Sequence, residues 1–239
     1  MLSGIYSGAS ALDNQGQQQD VISSNLAHLN TPGYRRQLLS FQGRLSDGAD
    51  RSSETSRDTN VRNVITDFES GVKRQTCRAL DLAIAGDGFF TYDGENEKVY
   101  SKNGIVFRSP DGNLVNSDGL TLLDSEGQSI EIPSSVSDRD LNISADGQIS
   151  ANGATFGKIS LAEFDDPQLL ESNSQVYFKL GQATEIPAED SNILQGTREL
   201  SNSQPVTELV NLIVGSRSFE SAQRVIRTIS DALQENIRS

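Results

Sequence analysis

The sequence contains very few of the residues on which catalytic and metal-binding sites usually depend. Its 239 residues include one cysteine, one histidine and no tryptophan. A single cysteine, Cys77, excludes an intrachain disulfide and a cysteine-rich metal site, and a single histidine, His28, excludes a metal site built on two histidines. We therefore expect no metal ion, no cofactor and no catalytic residue in this chain.

Long apolar runs are also missing from the sequence. No stretch approaches the roughly 18 residues of a membrane-spanning helix. The N-terminal residues lack the basic region and the continuous apolar region of a secretory signal peptide. We therefore expect neither a membrane-spanning helix nor a cleavable signal.

Basic residues are outnumbered, and the resulting charge is unevenly distributed. Lys and Arg total 20 against 33 Asp and Glu, which gives a formal net charge of −13. Residues 1–36 and 200–239 are each neutral, whereas residues 37–199 hold 27 acidic and 14 basic side chains. The acidic balance argues against nucleic acid as a partner, because phosphates require a basic surface. The neutral ends, in contrast, can pack against copies of themselves without repulsion.

The N-terminal end has the pattern of a helix. Residues 2–29 place apolar side chains at steps of three and four, which predicts a helix with one narrow apolar stripe. The pattern ends at Asn30-Thr31-Pro32-Gly33, because Pro32 cannot continue a helix. Pro32 and Gly33 also suit the two central positions of a type II turn.

The C-terminal end has two apolar faces. A heptad seam, with alternating steps of three and four, is formed by Phe219, Ala222, Ile226, Ile229 and Leu233. A second apolar face lies upstream and consists of Val206, Leu209, Leu212 and Ile213. Because neither end of the chain has a stripe wide enough for a globular core, we expect both helices to be coiled-coil partners, of each other or of another chain.

The middle of the chain has the pattern of β structure. It contains eight Asp-Gly or Asn-Gly pairs, seven of them within residues 81–160. Such pairs favour tight hairpin turns, because both central residues of the turn need a positive φ. Short apolar runs separate the turns and predict an antiparallel sheet. Residues 42–63 have almost nothing to bury, which predicts a linker or an extended arm.

These changes of pattern predict an α+β fold, in which N- and C-terminal helices pair as a coiled coil around a central antiparallel all-β domain. The predicted segments are an N-terminal axial helix at 1–33, an extended linker or arm at 34–80, the central β domain at 81–180, a return linker at 181–202 and a C-terminal axial helix at 203–239.

Three local patterns match functional motifs only in part. Gly86-Asp87-Gly88 lacks the third glycine and the following helix of a dinucleotide loop, so we predict a hairpin turn there. Asp165-Asp166 before Pro167 is typical of a turn, and it lacks the surroundings that paired catalytic carboxylates need. Cys77 has basic neighbours but no apparent acid–base partner, so we interpret it as an incidental thiol.

Three segments resemble the bacterial flagellar rod and hook axial family. The N-terminal segment resembles that family's signature through Asn25, Leu26, Ala27, Asn30, Thr31, Pro32, Gly33 and Tyr34. The second segment runs from Thr66 through Leu80-Asp81-Leu82 to Gly104 and is similar to the start of the family's β domain. The third, Ser201 to Glu220, is similar to its C-terminal helix. Within the second segment, Cys77-Arg78-Ala79 stands where the family commonly has Gly-Asn-Pro.

This resemblance implies a structural, non-enzymatic subunit of the flagellar basal-body rod. The family's members leave the cell through the flagellar type III apparatus and assemble into a hollow helical tube that transmits torque across the periplasm. Their helices pair inside the tube and their β domains lie outside. The implied partners are copies of the chain, other rod and hook axial subunits and the export apparatus, with no small-molecule substrate. The length fits a rod protein, and the short 37–80 region favours the proximal rod over the distal rod.

We predict that assembly depends on eight packing residues, which are Leu12, Ile22, Leu26, Ile213, Phe219, Ile226, Ile229 and Leu233. One alternative is a short hook subunit or a hook–filament adapter. Another alternative, from a different class, is an acidic β-rich domain that binds or hydrolyses carbohydrate, with paired carboxylates within 81–180.

Overall fold

The computed structural model describes residues 2–43, 59–188 and 190–238. Segments that are distant in sequence gather into two units. The first, which we call the helical unit, comprises residues 1–27, 37–67 and 203–239. The second, which we call the β unit, comprises residues 28–36 and 68–202.

The described residues of the helical unit form two long helices and one pair of strands. Helix α1 spans Leu2–Ala27 and helix α2 spans Pro205–Arg238, while β1 (Gln37–Gly43) and β2 (Thr59–Thr66) pair in antiparallel register. Helix α1 packs against α2 and against this strand pair. Pro205 begins α2, where its fixed φ and missing N–H suit the first helical position. No described helix has the length and apolar character needed to cross a membrane.

The strand pair lies within the region predicted to be an extended arm. Leu38 pairs with Ile65 and Leu39 with Val64, so the predicted arm includes an antiparallel ladder, whose register shifts between Ser40 and Phe41. Residues 44–58, which make up most of the predicted 42–63 linker, lie outside the described residues.

The β unit contains the remaining strands of the described chain. In chain order they are β3 (Lys73–Gln75), β4 (Asp81–Ala85), β5 (Phe89–Asp93), β6 (Lys98–Ser101), β7 (Gly104–Ile105), β8 (Phe107–Arg108), β9 (Leu114–Val115), β10 (Thr121–Leu122), β11 (Asn142–Ile143), β12 (Gln148–Ala151), β13 (Ala154–Lys158), β14 (Leu161–Phe164), β15 (Glu171–Ser172), β16 (Phe178–Lys179), β17 (Glu185–Pro187), β18 (Asn192–Gln195) and β19 (Thr197–Glu199). Two short 3₁₀ helices lie at Asp138–Asp140 and Pro167–Leu169.

The strands of the β unit form four sheets, and every pairing is antiparallel. The largest sheet has the order β15-β16-β6-β5-β10-β9-β8, and β14 joins it by pairing with both β5 and β17. The smaller sheets are β11-β12-β13, β18-β4-β7 and β19-β3. The predicted turns account for much of this order. Asn152 and Gly153, for example, have φ angles of 52° and 82° and join β12 to β13.

The predicted hairpin turn at Gly86-Asp87-Gly88 is wrong. Strand β4 pairs with β18 and β7, whereas β5 pairs with β6, β10 and β14, so this segment passes from one sheet to another. Ser191 explains the two glycines. Its Oγ accepts a 2.8 Å hydrogen bond from the Gly88 N–H, and a Cβ would lie 2.6 Å from this oxygen on Gly86 and 2.8 Å from it on Gly88. A larger residue at Gly86 would also be strained, because its φ is 128°.

The β unit extends beyond the central domain predicted at 81–180. Within the predicted return linker at 181–202, β18 pairs with β4, and Ile193 is buried in the main core. Tyr34, from the N-terminal side, is also fully buried in that core. The sequence offered little sign of these additions, because a four-residue strand is too short to establish a periodicity.

Candidate assembly surface

The two helices face each other along positions that repeat every three and four residues. The less exposed residues of α1 include Gly8, Leu12, Gln15, Gln19, Ile22 and Leu26. Those of α2 include Glu208, Leu212, Gly215, Phe219, Ala222 and Ile226. Both sets alternate steps of four and three, which is the spacing of a heptad seam.

One contact shows how closely the helices approach. A Cβ built on Gly8 would lie 3.0 Å from Cγ1 of Ile226 and 3.2 Å from its Cδ1. Because that is tighter than nearly all real Cβ contacts, glycine at position 8 lets the helices come together here. A groove of about 390 Å³ beside this contact is lined mainly by small residues, among them Ala11, Ser218 and Ala222.

The eight predicted packing residues do not form a single surface. Ile22 is buried, and Leu12, Leu26, Phe219 and Ile226 are partly buried on the paired sides of the helices. Ile213 lies elsewhere on α2, with 54% of its surface exposed. The side chains of Ile229 and Leu233 lie outside the described residues.

Helix α2 exposes a second apolar face in its first three turns. Its five members, which we call the α2 stripe, are Val206, Leu209, Val210, Ile213 and Val214. Each is between 47% and 74% exposed. Their spacing of i, i+3, i+4, i+7 and i+8 is that of a helix face which buries itself against a partner. Contiguous exposed apolar patches of this kind mark interaction sites on protein surfaces.

The α2 stripe has a definite end. Beyond Val214 the same side of the helix continues at steps of three and four with Arg217, Glu220, Arg224, Thr228 and Asp231, all of them exposed. Arg224 and Glu220 approach to 4.0 Å at the surface. The contiguous stripe therefore ends at Val214, and Val225, which is 56% exposed, is a separate apolar residue further along α2.

Sequence reasoning identified part of this stripe. The second apolar face predicted from the sequence included Val206, Leu209 and Ile213, but it also included Leu212, which lies on the paired side of α2. Val210 and Val214 were missed. Their signal was present in the sequence, because they continue from Val206 at steps of four.

The family-like motif at the end of α1 has a structural role in each unit. In the helical unit, Asn25 is buried and its side-chain amide bonds twice to the backbone of Gln37. The Asn25 Nδ2 donates to the Gln37 carbonyl at 2.8 Å, and its Oδ1 accepts from the Gln37 N–H at 2.9 Å. These bonds fix the start of β1 beside the last turn of α1. Leu26 is partly buried and Ala27 is exposed.

The remaining motif residues form a turn in the β unit. The Tyr34 N–H donates to the Thr31 carbonyl at 3.3 Å, and Gly33 has a φ of 72°. These features confirm the turn predicted at Pro32 and Gly33. A Cβ on Gly33 would lie 2.3 Å from the Asn103 nitrogen, so only glycine fits. Tyr34 is fully buried and stacks on His28, with 4.9 Å between ring centroids, while Asn30 stays exposed.

The carboxylates considered for catalysis act as turn residues. Asp165 accepts hydrogen bonds from the Thr184 and Asp166 amides, which lower its pKa below the ordinary range. Asp166 caps the following 3₁₀ helix by accepting from the Gln168 amide. A general acid needs the opposite shift. Across the described ranges, no three His, Cys, Asp or Glu side chains are grouped as metal ligands would be.

Three family models match the chain in order. A model described as "Flagella basal body rod protein" matches residues 5–35. One described as "Flagellar hook protein FlgE/F/G D1 domain" matches residues 83–151. A third, "Flagellar basal body rod FlgEFG protein C-terminal", matches residues 194–238.

Named relatives match over nearly their whole length. The chain is 30% identical to the flagellar basal-body rod protein FlgG of Caulobacter vibrioides, over 96% of each chain. It is 28% identical to FlgG of Bacillus subtilis over 98% of each chain. It is also 29% identical to FlgF of Caulobacter vibrioides, over 93% of this chain and 91% of that relative.

Each of these relatives is a basal-body rod protein by name. The chain belongs to the family of flagellar basal-body rod proteins of the FlgF/FlgG type, and it is a structural subunit of the basal-body rod.

Proposed function

We propose that this rod subunit joins the flagellar axis through its terminal helices. Helices α1 and α2 pair as a coiled coil, and the α2 stripe packs against neighbouring rod and hook axial subunits, including copies of the same chain. Packing between identical subunits that does not close on itself generates a helical tube. Such a tube can transmit torque across the periplasm.

The exposure of the α2 stripe is the observation that carries this proposal. Five large apolar side chains on one helix face remain at least 47% exposed in the free chain. Removing such side chains from water stabilises a contact by about 25 cal/mol per Å² of apolar surface. The stripe therefore provides a driving force for association that the single chain leaves unused.

Charge supports the same choice of surface. Residues 203–239 hold four acidic and four basic side chains, so α2 is neutral overall, whereas the β unit holds 22 acidic and 12 basic residues. Two copies of a neutral helix can approach without long-range repulsion, and two copies of the acidic unit repel each other. We infer that subunits meet through the helices.

Several finer features of the proposal rest on the family resemblance. The chain reaches the basal body by flagellar type III export, interacts with the export apparatus on the way and has no small-molecule substrate or enzymatic activity. The short 37–80 region favours the proximal rod as its position. Locating a labelled chain in isolated basal bodies would test that position, and a label in the hook would support the adapter alternative instead.

The test of the assembly surface is a charge placed in the middle of the α2 stripe. We expect Val210→Asp and Ile213→Asp to reduce incorporation into basal bodies by at least about tenfold, because each would desolvate a carboxylate in an apolar contact. The measurement is the amount of the chain in purified basal bodies, together with motility of the cells. Unchanged incorporation of both variants would contradict the proposal.

The matched control is Thr228→Asp. It adds the same charge on the same side of α2, but beyond the end of the stripe, where the helix already exposes Arg224 and Asp231. We expect this variant to be incorporated normally. Tyrosine fluorescence of each purified variant would establish that the β unit, which contains Tyr34, Tyr92, Tyr100 and Tyr177, is folded.

A further inference from the structure

Three chain segments of the β unit meet at two side chains of the last segment. The segments are residues 33–36, which follow the turn after α1, residues 69–72 and residues 198–202. The two side chains are Glu199 and Asn202. Each of these two side chains bonds to both of the other segments. All of these bonds would be lost if the last segment were absent.

Glu199 forms the buried half of this arrangement. Its Oε1 accepts from Nη2 of Arg35 at 2.8 Å, from the Gly71 N–H at 2.8 Å and from Oγ of Ser70 at 3.1 Å. Its backbone carbonyl accepts from the Gly33 N–H at 3.1 Å. The side chains of Arg35 and Glu199 are 0% and 1% exposed, so the ion pair is fully removed from water.

Asn202 repeats the bridge with an uncharged side chain. Its Oδ1 accepts from the Arg36 N–H at 2.7 Å, and its Nδ2 donates to the Glu69 carbonyl at 3.1 Å. Between the two bridging residues, the Leu200 N–H donates to the Val72 carbonyl at 3.0 Å. The last segment is therefore bonded to its neighbours at Glu199, Leu200 and Asn202.

The three segments are packed too closely where they meet to accommodate a larger residue. A Cβ on Gly71 would lie 2.0 Å from the Leu200 carbonyl oxygen. Nothing but glycine can occupy that position without moving the last segment. The ion pair is equally demanding, because a buried charge that loses its partner is strongly destabilising where it stands. If Glu199 were lost, Arg35 would have to leave the interior to regain water.

We propose that Glu199 and Asn202 are a clasp that makes docking of residues 33–36 and 69–72 conditional on residues 198–202. With the last segment in place, the three segments hold as one cooperative unit. Without it, the first two are released together while the rest of the β unit stays folded. The clasp would operate in the free chain, whatever packs against the α2 stripe. Its consequence is that the β unit closes only when the segment just before α2 has been added.

The test is site-resolved amide hydrogen exchange on the full chain carrying Glu199→Gln. Glutamine can still accept from the Gly71 N–H, but it leaves the Arg35 cation without a counter-charge. We expect the amides of Gly33, Arg36, Gly71 and Leu200, which together report on all three segments, to exchange at least about tenfold faster, all by a similar factor. The Ile159 amide, which donates to the Gly147 carbonyl in the core, should keep its wild-type rate.

A second charge change separates the clasp from a general loss of stability. The double variant Arg35→Met with Glu199→Gln removes both charges, and we expect it to recover most of the protection that the single variant loses. Glu126→Gln removes an exposed carboxylate from the same unit and should change none of these amides.

Three results would overturn the proposal. One is faster exchange in only one of the three segments, which would mean that the bonds are independent of each other. Another is an equal acceleration at Ile159, which would mean that the ion pair merely supports the whole unit. If Glu199→Gln fails to fold, Asn202→Ala provides the test, because it should loosen the same three segments by a smaller factor, and unchanged exchange there would be the third such result.

Discussion

The β unit buries most of its apolar side chains, whereas the helical unit leaves many of its apolar side chains exposed. Among the side chains whose burial the structure describes, 30 apolar residues are buried, and 29 of these lie in the β unit and one, Ile22, in the helical unit. Among the same described side chains, 14 large apolar residues are exposed, and eight of these lie in the helical unit, including the whole α2 stripe. One unit has completed its hydrophobic core, and the other has apolar surface left to bury.

The difference follows from the sequence patterns of the two units. In the β unit, apolar residues of short strands meet across sheets, where residues such as Ile84, Tyr92 and Leu122 are fully buried. In the helical unit, each long helix has narrow stripes, and one neighbouring helix can cover only one of them. A subunit built this way can be stable in one region and dependent on a partner in the other.

The largest expected effect on the free chain comes from truncating equivalent side chains in the two units. Ile84 is 0% exposed in the main core, and Ile213 is 54% exposed on the α2 stripe. We expect Ile84→Ala to lower the free energy of unfolding by about 2–5 kcal/mol, because it removes buried methyl groups and leaves a cavity. Ile213→Ala should change it by less than about 0.5 kcal/mol. Urea unfolding followed by tyrosine fluorescence measures both.

Ile213→Ala, which should have the smaller effect on the free energy of unfolding, should have the larger direct effect on assembly. Ile213→Ala should weaken incorporation into basal bodies at a stage where the folded monomer is still intact. A large loss of monomer stability in Ile213→Ala would break the comparison, because it would mean that the stripe already serves the fold of the free chain.

The sequence predicted the parts of the fold that depend on local patterns. The two terminal helices follow from apolar steps of three and four, and the turn at Pro32 and Gly33 follows from backbone restrictions of those two residues. Asn152-Gly153 likewise forms its predicted hairpin turn because both residues tolerate a positive φ. Each of these predictions needs only residues that are close together in the chain.

What the sequence could not predict depends on distant partners. Glu199 and Arg35 are 164 residues apart and read as ordinary surface charges until the fold buries them together. Gly86 and Gly88 look like hairpin glycines when only their sequence neighbours are considered. The residue that requires glycine at both positions is Ser191, which lies far along the chain. Likewise, both faces of α2 are apolar in the sequence, and nothing local says which of them α1 covers.

A smaller effect should separate the units by their response to pH. Lys102 is buried in the β unit, where its Nζ donates to the Gly86 carbonyl at 3.2 Å and lies 4.6 Å from the centroid of the Phe89 ring. Burial, and then the nearby Arg35 cation, lower the pKa of Lys102 to about 8. The ordinary value in an unfolded chain is about 10.4. The unfolded state therefore binds more protons than the folded state between these two values.

Under that linkage, stability should rise as the pH rises through this window. We expect the free energy of unfolding to increase by about 1–2 kcal/mol between pH 7.5 and 9.5. Lys102→Met should abolish the increase, whereas Lys179→Met, which removes a lysine bonded to Glu97 near the surface, should preserve it. The range stops at 9.5 because burial raises the pKa of Tyr100 to about 12, which makes stability fall again once tyrosines of the unfolded chain ionise. A flat profile in the unmodified chain would contradict this account of Lys102.

The smallest expected effect concerns backbone strain in the β unit. Cys77 is exposed and has a φ of 61°, and Asn152 is the other described non-glycine residue with a positive φ. A left-handed conformation costs an ordinary residue about 1–2 kcal/mol, while glycine pays more entropy on folding and asparagine tolerates the conformation. We expect Cys77→Gly to raise the free energy of unfolding by about 0.5 kcal/mol, which agrees with the glycine common at this position in the family that the sequence resembles. Asn152→Gly, the matched control, should gain less. Thermal unfolding of the two variants and of the unmodified chain measures these changes in the free energy of unfolding. If Asn152→Gly gains as much stability as Cys77→Gly, backbone strain at Cys77 is not the cause of the gain.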